Sequence, residues 1–227
     1  MQRLMLQRLI QGAACRVIEA VQRYGPKTVT IADCAFVVTP DVFNPKFFVT
    51  SGLMARHLAL RPTDEVLDVG TGSGIQAIVA AQQAQRVVAI DVNPEAVVCA
   101  RANCERNEVD NVTVLQGDLF EPLTAGERFD VIIFTPPYME GPVTTLLSRA
   151  LNDPGKALAR RFFAEARNHL EPGGSLLVLY SSIADHEEVI EIAAEHGWQY
   201  EQIAVRKMLL ETYFIYRMVP LRAGFQR

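Results

Sequence analysis

Glu65-Val66-Leu67-Asp68-Val69-Gly70-Thr71-Gly72-Ser73-Gly74 is a short apolar run that gives way to three alternate glycines, and Ile75 to Ala84 continues with helical composition. Glycines at a strand-to-helix turn accept positive backbone torsions and let a ligand approach the main chain with no Cβ in the way. Working outward, further strands are expected at Arg86 to Asp91, Val112 to Gly117, Phe129 to Phe134 and Ser175 to Ser181, with helices between most of them. Val131-Ile132-Ile133-Phe134 and Leu176-Leu177-Val178-Leu179 are continuously apolar, as strands buried on both faces are. A helix over Asp185 to His196 ends at Gly197, and Trp198 to Val205 and Leu209 to Val219 then read as two strands joined at Arg206-Lys207. The expected fold is α/β: a doubly wound, mostly parallel seven-stranded sheet of Rossmann-like type with a closing antiparallel hairpin.

Upstream, Leu6, Leu9, Ile10, Ala13, Val17, Ile18 and Val21 recur at helical spacing before Gly25-Pro26, which predicts an amphipathic N-terminal helix over residues 4 to 24. Two β-rich runs between Thr28 and Val38 flank Asp33-Cys34 and predict a small hairpin. The chain therefore divides into an N-terminal helix and hairpin extension, residues 1–41, and a main domain, residues 42–227. The N-terminal helix and the closing hairpin each offer a surface for a homodimer. With 227 residues, 49% of them hydrophobic, the chain can bury its own core. Its four cysteines form no Cys-x-x-Cys pair and its four histidines are scattered, so no disulfide framework and no metal site is expected. Arg3 and Arg8 interrupt what would be the apolar part of a leader, and no apolar run is long enough for a membrane span. A reduced, cytoplasmic setting is the expectation. A net charge of −4 offers no general attraction for phosphate backbones, which counts against nucleic-acid partners.

Asp91 ends the second strand about 20 residues after Gly70, where a carboxylate can accept from both hydroxyls of a ribose. The third glycine of a dinucleotide fingerprint would fall at Ile75, and Asp68 would set a negative charge where a pyrophosphate belongs. The ligand expected at Asp68 is cationic. The α-ammonium of S-adenosylmethionine meets that requirement, and Asp118, after the third strand, is placed to accept from the exocyclic amine of adenine.

Taken together, Val66 to Gly74, Asp91, Gly117-Asp118 and Thr135-Pro136-Pro137-Tyr138 resemble, in order, the motifs of the class I S-adenosylmethionine-dependent methyltransferases. The resemblance runs from about Val42 to the end and implies S-adenosylmethionine as cofactor, with Asp68, Gly70, Thr71, Gly72 and Gly74 around its methionine part. It implies Asp91 at the ribose, Asp118 and Leu119 at the adenine, and Thr135 bordering both cofactor and acceptor.

The Thr-Pro-Pro-Tyr turn ends the fourth strand, which meets the first where the winding reverses, so it faces the same crevice as the glycine loop. Two prolines stiffen the turn and remove two donors, leaving carbonyl oxygens free to accept from a substrate N–H. Thr135, Pro136 and Tyr138 are the candidate catalytic residues. Asn/Asp/Ser-Pro-Pro-Tyr/Phe at this place is similar to methyltransferases of amide and amine nitrogens, among them the small-domain and release-factor glutamine enzymes. Two departures stand out: Thr135 replaces the asparagine of the glutamine and adenine enzymes, and only about 40 residues precede the shared segment. The expected reaction is methyl transfer to an amide or amine nitrogen of a protein or small molecule. A nucleic-acid base methyltransferase and a small-molecule oxygen methyltransferase are the alternatives. In-line geometry at an activated sulfonium supplies most of the acceleration, so no general base is assigned. His57, His169, His186 and His196 are expected as surface or capping residues. The long connection from Met139 to Lys156 is a candidate for selecting substrate, with Arg149, Arg160 and Arg161 nearby.

Overall fold

The computed structural model describes residues 27–44, 49–209 and 211–221. The helix expected over residues 4 to 24 lies outside them. Strands β1 (Thr28–Ile31) and β2 (Cys34–Val37) form the expected hairpin. Ala32 and Asp33 at its tip both have positive φ, the requirement of a tight two-residue turn whose twist matches its strands.

After helix α1 (Val49–Arg56) the main sheet begins with β3 (Glu65–Val69), α2 (Ile75–Ala81), β4 (Arg86–Asp91), α3 (Pro94–Arg106), β5 (Val112–Gln116) and β6 (Phe129–Phe134). There follow α4 (Leu146–Leu151), α5 (Ala157–Glu165), β7 (Leu170–Ser181), α6 (His186–Glu195), β8 (Trp198–Lys207) and β9 (Thr212–Pro220). The seven-stranded sheet has the order β5-β4-β3-β6-β7-β9-β8. Only β9 runs against its neighbours, pairing antiparallel with both β7 and β8.

The apolar strands are continuous because both faces are covered. Val66, Val87, Ala89 and Ile133 turn toward α1, α2 and α3, where they meet Met54, Ile78 and Ala100. Leu67, Val88, Ile90 and Ile132 turn the other way, onto Phe162, Phe163, Ile192 and Trp198. Helix α3 starts as its sequence dictates: Pro94 occupies the first turn and the Asn93 side chain accepts from the Glu95 N–H at 2.9 Å. The hairpin β1–β2 is fastened to α3 by Asn103, whose amide accepts from Val37 N at 2.8 Å and donates to Val37 O, and by Asn107, which pairs in the same way with Ala35.

One connection differs from the expectation. The strands of the closing hairpin do not turn at Arg206-Lys207, since β8 runs through both and Met208 N–H donates to the Glu211 carbonyl at 2.8 Å to close the turn. Leu209 is apolar and reads as the start of a strand, yet it is 96% exposed at the turn itself.

Candidate active site

The glycine loop between β3 and α2 is shaped by its own backbone and by two acids. Gly70, Gly72 and Gly74 all have φ in the left-handed region, where an L side chain is strained. Gly74 has a second reason to be glycine, because a Cβ there would lie 3.2 Å from Cα and Cβ of Ala100 in α3. The Gly70 and Thr71 amides donate to the Ile90 carbonyl at 2.8 and 3.0 Å, which seats the loop on the end of β4. Asn103 also reaches the loop, donating to the Ser73 carbonyl at 2.9 Å, so the same side chain holds both hairpin and loop.

Asp91 receives the Gly72 amide on Oδ2 at 2.8 Å and the Asn93 amide on Oδ1 at 2.9 Å. Burial nevertheless pushes its carboxyl up from the ordinary value, the backbone donors only partly offsetting that. Asp68 is more extreme: burial raises it to about 7, against the pull of the Thr71 hydroxyl, which donates to Oδ2 at 2.7 Å, and of the Ala77 amide in the first turn of α2.

A cavity of about 460 Å³ opens over this loop. Gly70, Thr71, Gly72, Asp91, Asp118, Leu119 and Thr135 line it, together with Pro136 and Tyr138, so the expected cofactor and acceptor residues share one space. Asp68 and Gly74 do not line it. The Asp68 carboxylate is turned into the loop, onto Thr71 and the start of α2, and Gly74 serves the contact with α3. Asp118 faces the cavity but is ion-paired with Arg161 at 2.9 Å, a partner in α5 that the sequence did not single out for it. Asp41, Val42 and Phe43 close one side, fixed by Asn93 Nδ2, which donates to the Asp41 carbonyl at 2.9 Å. None of the four histidines lines the cavity, and each is engaged elsewhere: His57, His169 and His196 through Nδ1 with backbone carbonyls, His186 edge-on to Phe214.

The Thr135 to Tyr138 turn is held from behind by the connection that follows α4. Tyr138 and Met139 N–H groups donate to the Leu151 carbonyl at 3.2 and 2.9 Å, and Asp153 N–H donates back to the Met139 carbonyl at 2.9 Å. Asp153 then caps α5 through the Leu158 and Ala159 amides. Beside it Lys156, fully buried and with positive φ, bridges Glu140 at 3.2 Å and Glu188 at 3.1 Å. Burial alone would lower its ammonium's affinity for a proton, but these two carboxylates outweigh burial and raise it. The long connection is therefore an ordered wall of the cavity, to which Val143, Leu146 and Arg149 contribute. Thr135 Oγ1 is buried and pairs with none of the described residues.

A sheet with this strand order, one reversed strand, a glycine loop over an acid-tipped neighbour and a Pro-Pro turn across the switch point is the fold of class I methyltransferases. Solved structures agree with it. A 16S rRNA N2 methyltransferase of T. thermophilus, in complex with AdoMet and guanosine, superposes with a TM-score of 0.63 over 86% of this chain and 50% of its own, at 22% identity. The Mtq2–Trm112 complex of E. cuniculi, described as methylating the termination factor eRF1, gives 0.61 over 78% and 98% at 23% identity. The chain belongs to the methyltransferase small domain family, whose profile matches residues 33–205, and it is an S-adenosylmethionine-dependent methyltransferase.

Among its relatives, a Methanocaldococcus jannaschii protein with the provisional name protein N5-glutamine methyltransferase is 32% identical over 183 residues, 78% of this chain and 90% of its own length. The release factor glutamine methyltransferase of Koribacter versatilis is 35% identical over 167 residues, 66% of this chain and 59% of its own. The chain thus spans nine-tenths of the archaeal relative but about six-tenths of the bacterial one. No helix among the described residues is long and apolar enough to cross a membrane.

Proposed function

We propose that this enzyme methylates the side-chain amide nitrogen of a glutamine in a protein. The observation that carries the reading is the Thr135-Pro136-Pro137-Tyr138 turn, set in the same cavity as the glycine loop and presenting a buried hydroxyl with no partner among the described residues. An amide nitrogen is a poor nucleophile because its lone pair is delocalised. Acceptors that hold its two N–H groups fix the nitrogen for attack and favour the charge that develops on it. Thr135 Oγ1 and the carbonyls of Thr135 and Pro136 are the acceptors available here, and the prolines contribute no competing donor. S-adenosylmethionine, when bound, supplies the electrophilic methyl group. Gly70, Thr71, Gly72, Asp91, Asp118 and Leu119 form its proposed cradle, with Asp91 accepting from the ribose. The names of the relatives support a protein glutamine over a free amine.

The test is transfer of labelled methyl from S-adenosylmethionine to unstructured peptides bearing one glutamine, beside the same peptides with glutamate or asparagine in its place and a structured RNA. Label on the glutamine peptide alone is the expected result. Label on the RNA with none on any peptide would overturn the proposal.

A further inference from the structure

The phenol of Tyr138 ends in a polar cluster that methyl transfer does not by itself require. Because β6, β7 and β9 are successive neighbours, the Thr135 to Tyr138 turn, the end of β7 and the start of β9 meet at one edge of the sheet. There the Tyr138 hydroxyl faces Tyr213 Oη and the Glu211 carboxylate, close enough to direct its single proton to one of them. Tyr213 Oη donates to Glu211 Oε2 at 2.5 Å, and the fully buried Ser181 hydroxyl donates to Oε1. Ser181 Oγ in turn accepts from Ile183 N–H at 3.2 Å, which leaves its proton for Glu211.

An ionised carboxylate can only accept, so each of the three hydroxyls must point its proton into the cluster. The Tyr138 proton is committed there and is not offered to the acceptor. What Tyr138 gives the cavity is its ring, which also packs against Tyr180 with centroids 5.8 Å apart. We infer that Glu211, with Tyr213 and Ser181, is a positioning residue for methyl transfer: it fixes the Tyr138 ring and so the width and orientation of the cleft in which the acceptor is held. The inference rests on the proposed placement of the acceptor beside Tyr138.

Glu211→Gln tests it with little change in size. The amide must turn an NH₂ toward at least one hydroxyl that needs an acceptor, and the ring loses its fixed anchor. Small misplacements of reacting groups cost catalysis heavily, so kcat at saturating substrates should fall about tenfold. S-adenosylmethionine affinity, measured by calorimetry, should stay within about twofold, because none of the three residues lines the cofactor loop. In a Tyr138→Phe background the same substitution should change kcat by less than about twofold, since the hydroxyl through which Glu211 acts is already gone. Tyr213→Phe, which removes one donor and keeps Glu211, should fall between wild type and Glu211→Gln.

An equal loss in both backgrounds, or weaker cofactor binding in Glu211→Gln, would overturn the inference. Thermal unfolding of wild type, Glu211→Gln, Tyr138→Phe and their double variant is a readout independent of the acceptor, and strictly additive stabilities would overturn the inference as well. Wild type that binds cofactor yet methylates no glutamine peptide would instead refute the acceptor reading, leaving the Tyr138–Glu211 coupling to be decided on stability.

Discussion

Replacing Thr135 by valine exchanges a hydroxyl for a methyl at nearly constant volume, and the structure predicts opposite effects on stability and on catalysis. In the free enzyme the Thr135 hydroxyl is buried and pairs with none of the described residues. A polar group left so costs about 1–3 kcal/mol. Valine removes that cost, and with roughly 2–4 °C per kcal/mol for a chain of this size the melting temperature should rise by a few degrees. On the proposed reading the same hydroxyl accepts from the amide during transfer, a bond whose net value is about 0.5–1.5 kcal/mol. At about 1.4 kcal/mol per factor of ten, kcat should fall roughly twofold to twelvefold with cofactor affinity unchanged. Calorimetric melting beside steady-state rates on a glutamine peptide measures both effects. A less stable Thr135→Val with undiminished kcat would refute the reasoning, for it would mean that the hydroxyl is satisfied in the free protein and idle in the reaction.

Gly74→Ala should destabilise by about 2–4 kcal/mol, combining left-handed strain with overpacking against Ala100, and urea unfolding would read it. The Asp68 carboxyl rises from an ordinary value of 3.8 to about 7 on folding, so the folded state holds a proton that the unfolded state releases. Its contribution to stability is therefore complete below about pH 4 and is lost as pH climbs through 7. Asp68→Asn should flatten that part of the stability profile, and an unchanged slope between pH 4 and 7 would count against the assignment. Arg161→Ala leaves the Asp118 charge uncompensated at the cavity rim and should make binding of the cationic cofactor tighter at low salt and more salt-dependent, measured by titration at two ionic strengths.

The order of elements was legible because strands covered on both faces carry unbroken apolar runs, as at Val131 to Phe134 and Leu176 to Leu179, and because Gly70, Gly72 and Gly74 break the first strand into its helix. The turn of the closing hairpin was not. Met208 and Leu209 carry the hydrophobicity of a strand while lying at an exposed tip, where composition cannot distinguish an edge turn from a buried run. At the site, residues adjacent in sequence to a motif were found by that motif, and the fold gathers most of them around one cavity. Asp68 was singled out for its charge, but where its carboxyl points depends on the Thr71 hydroxyl and the first turn of α2, which spacing does not encode. Arg161 was noted beside the long connection but not as the partner of Asp118, and Glu211 and Tyr213 gave no local signal. They reach the site only through helix packing and the β6-β7-β9 order, in which segments far apart along the chain become neighbours.

The most direct test of the central claim is a calorimetric titration of S-adenosylmethionine into wild type and Asp91→Ala. Wild type should bind in the micromolar range, and the variant at least about a hundredfold more weakly through loss of the carboxylate's proposed charge-assisted bonds to the ribose. Equal affinity in two well-folded proteins would contradict the placement of the cofactor over the glycine loop.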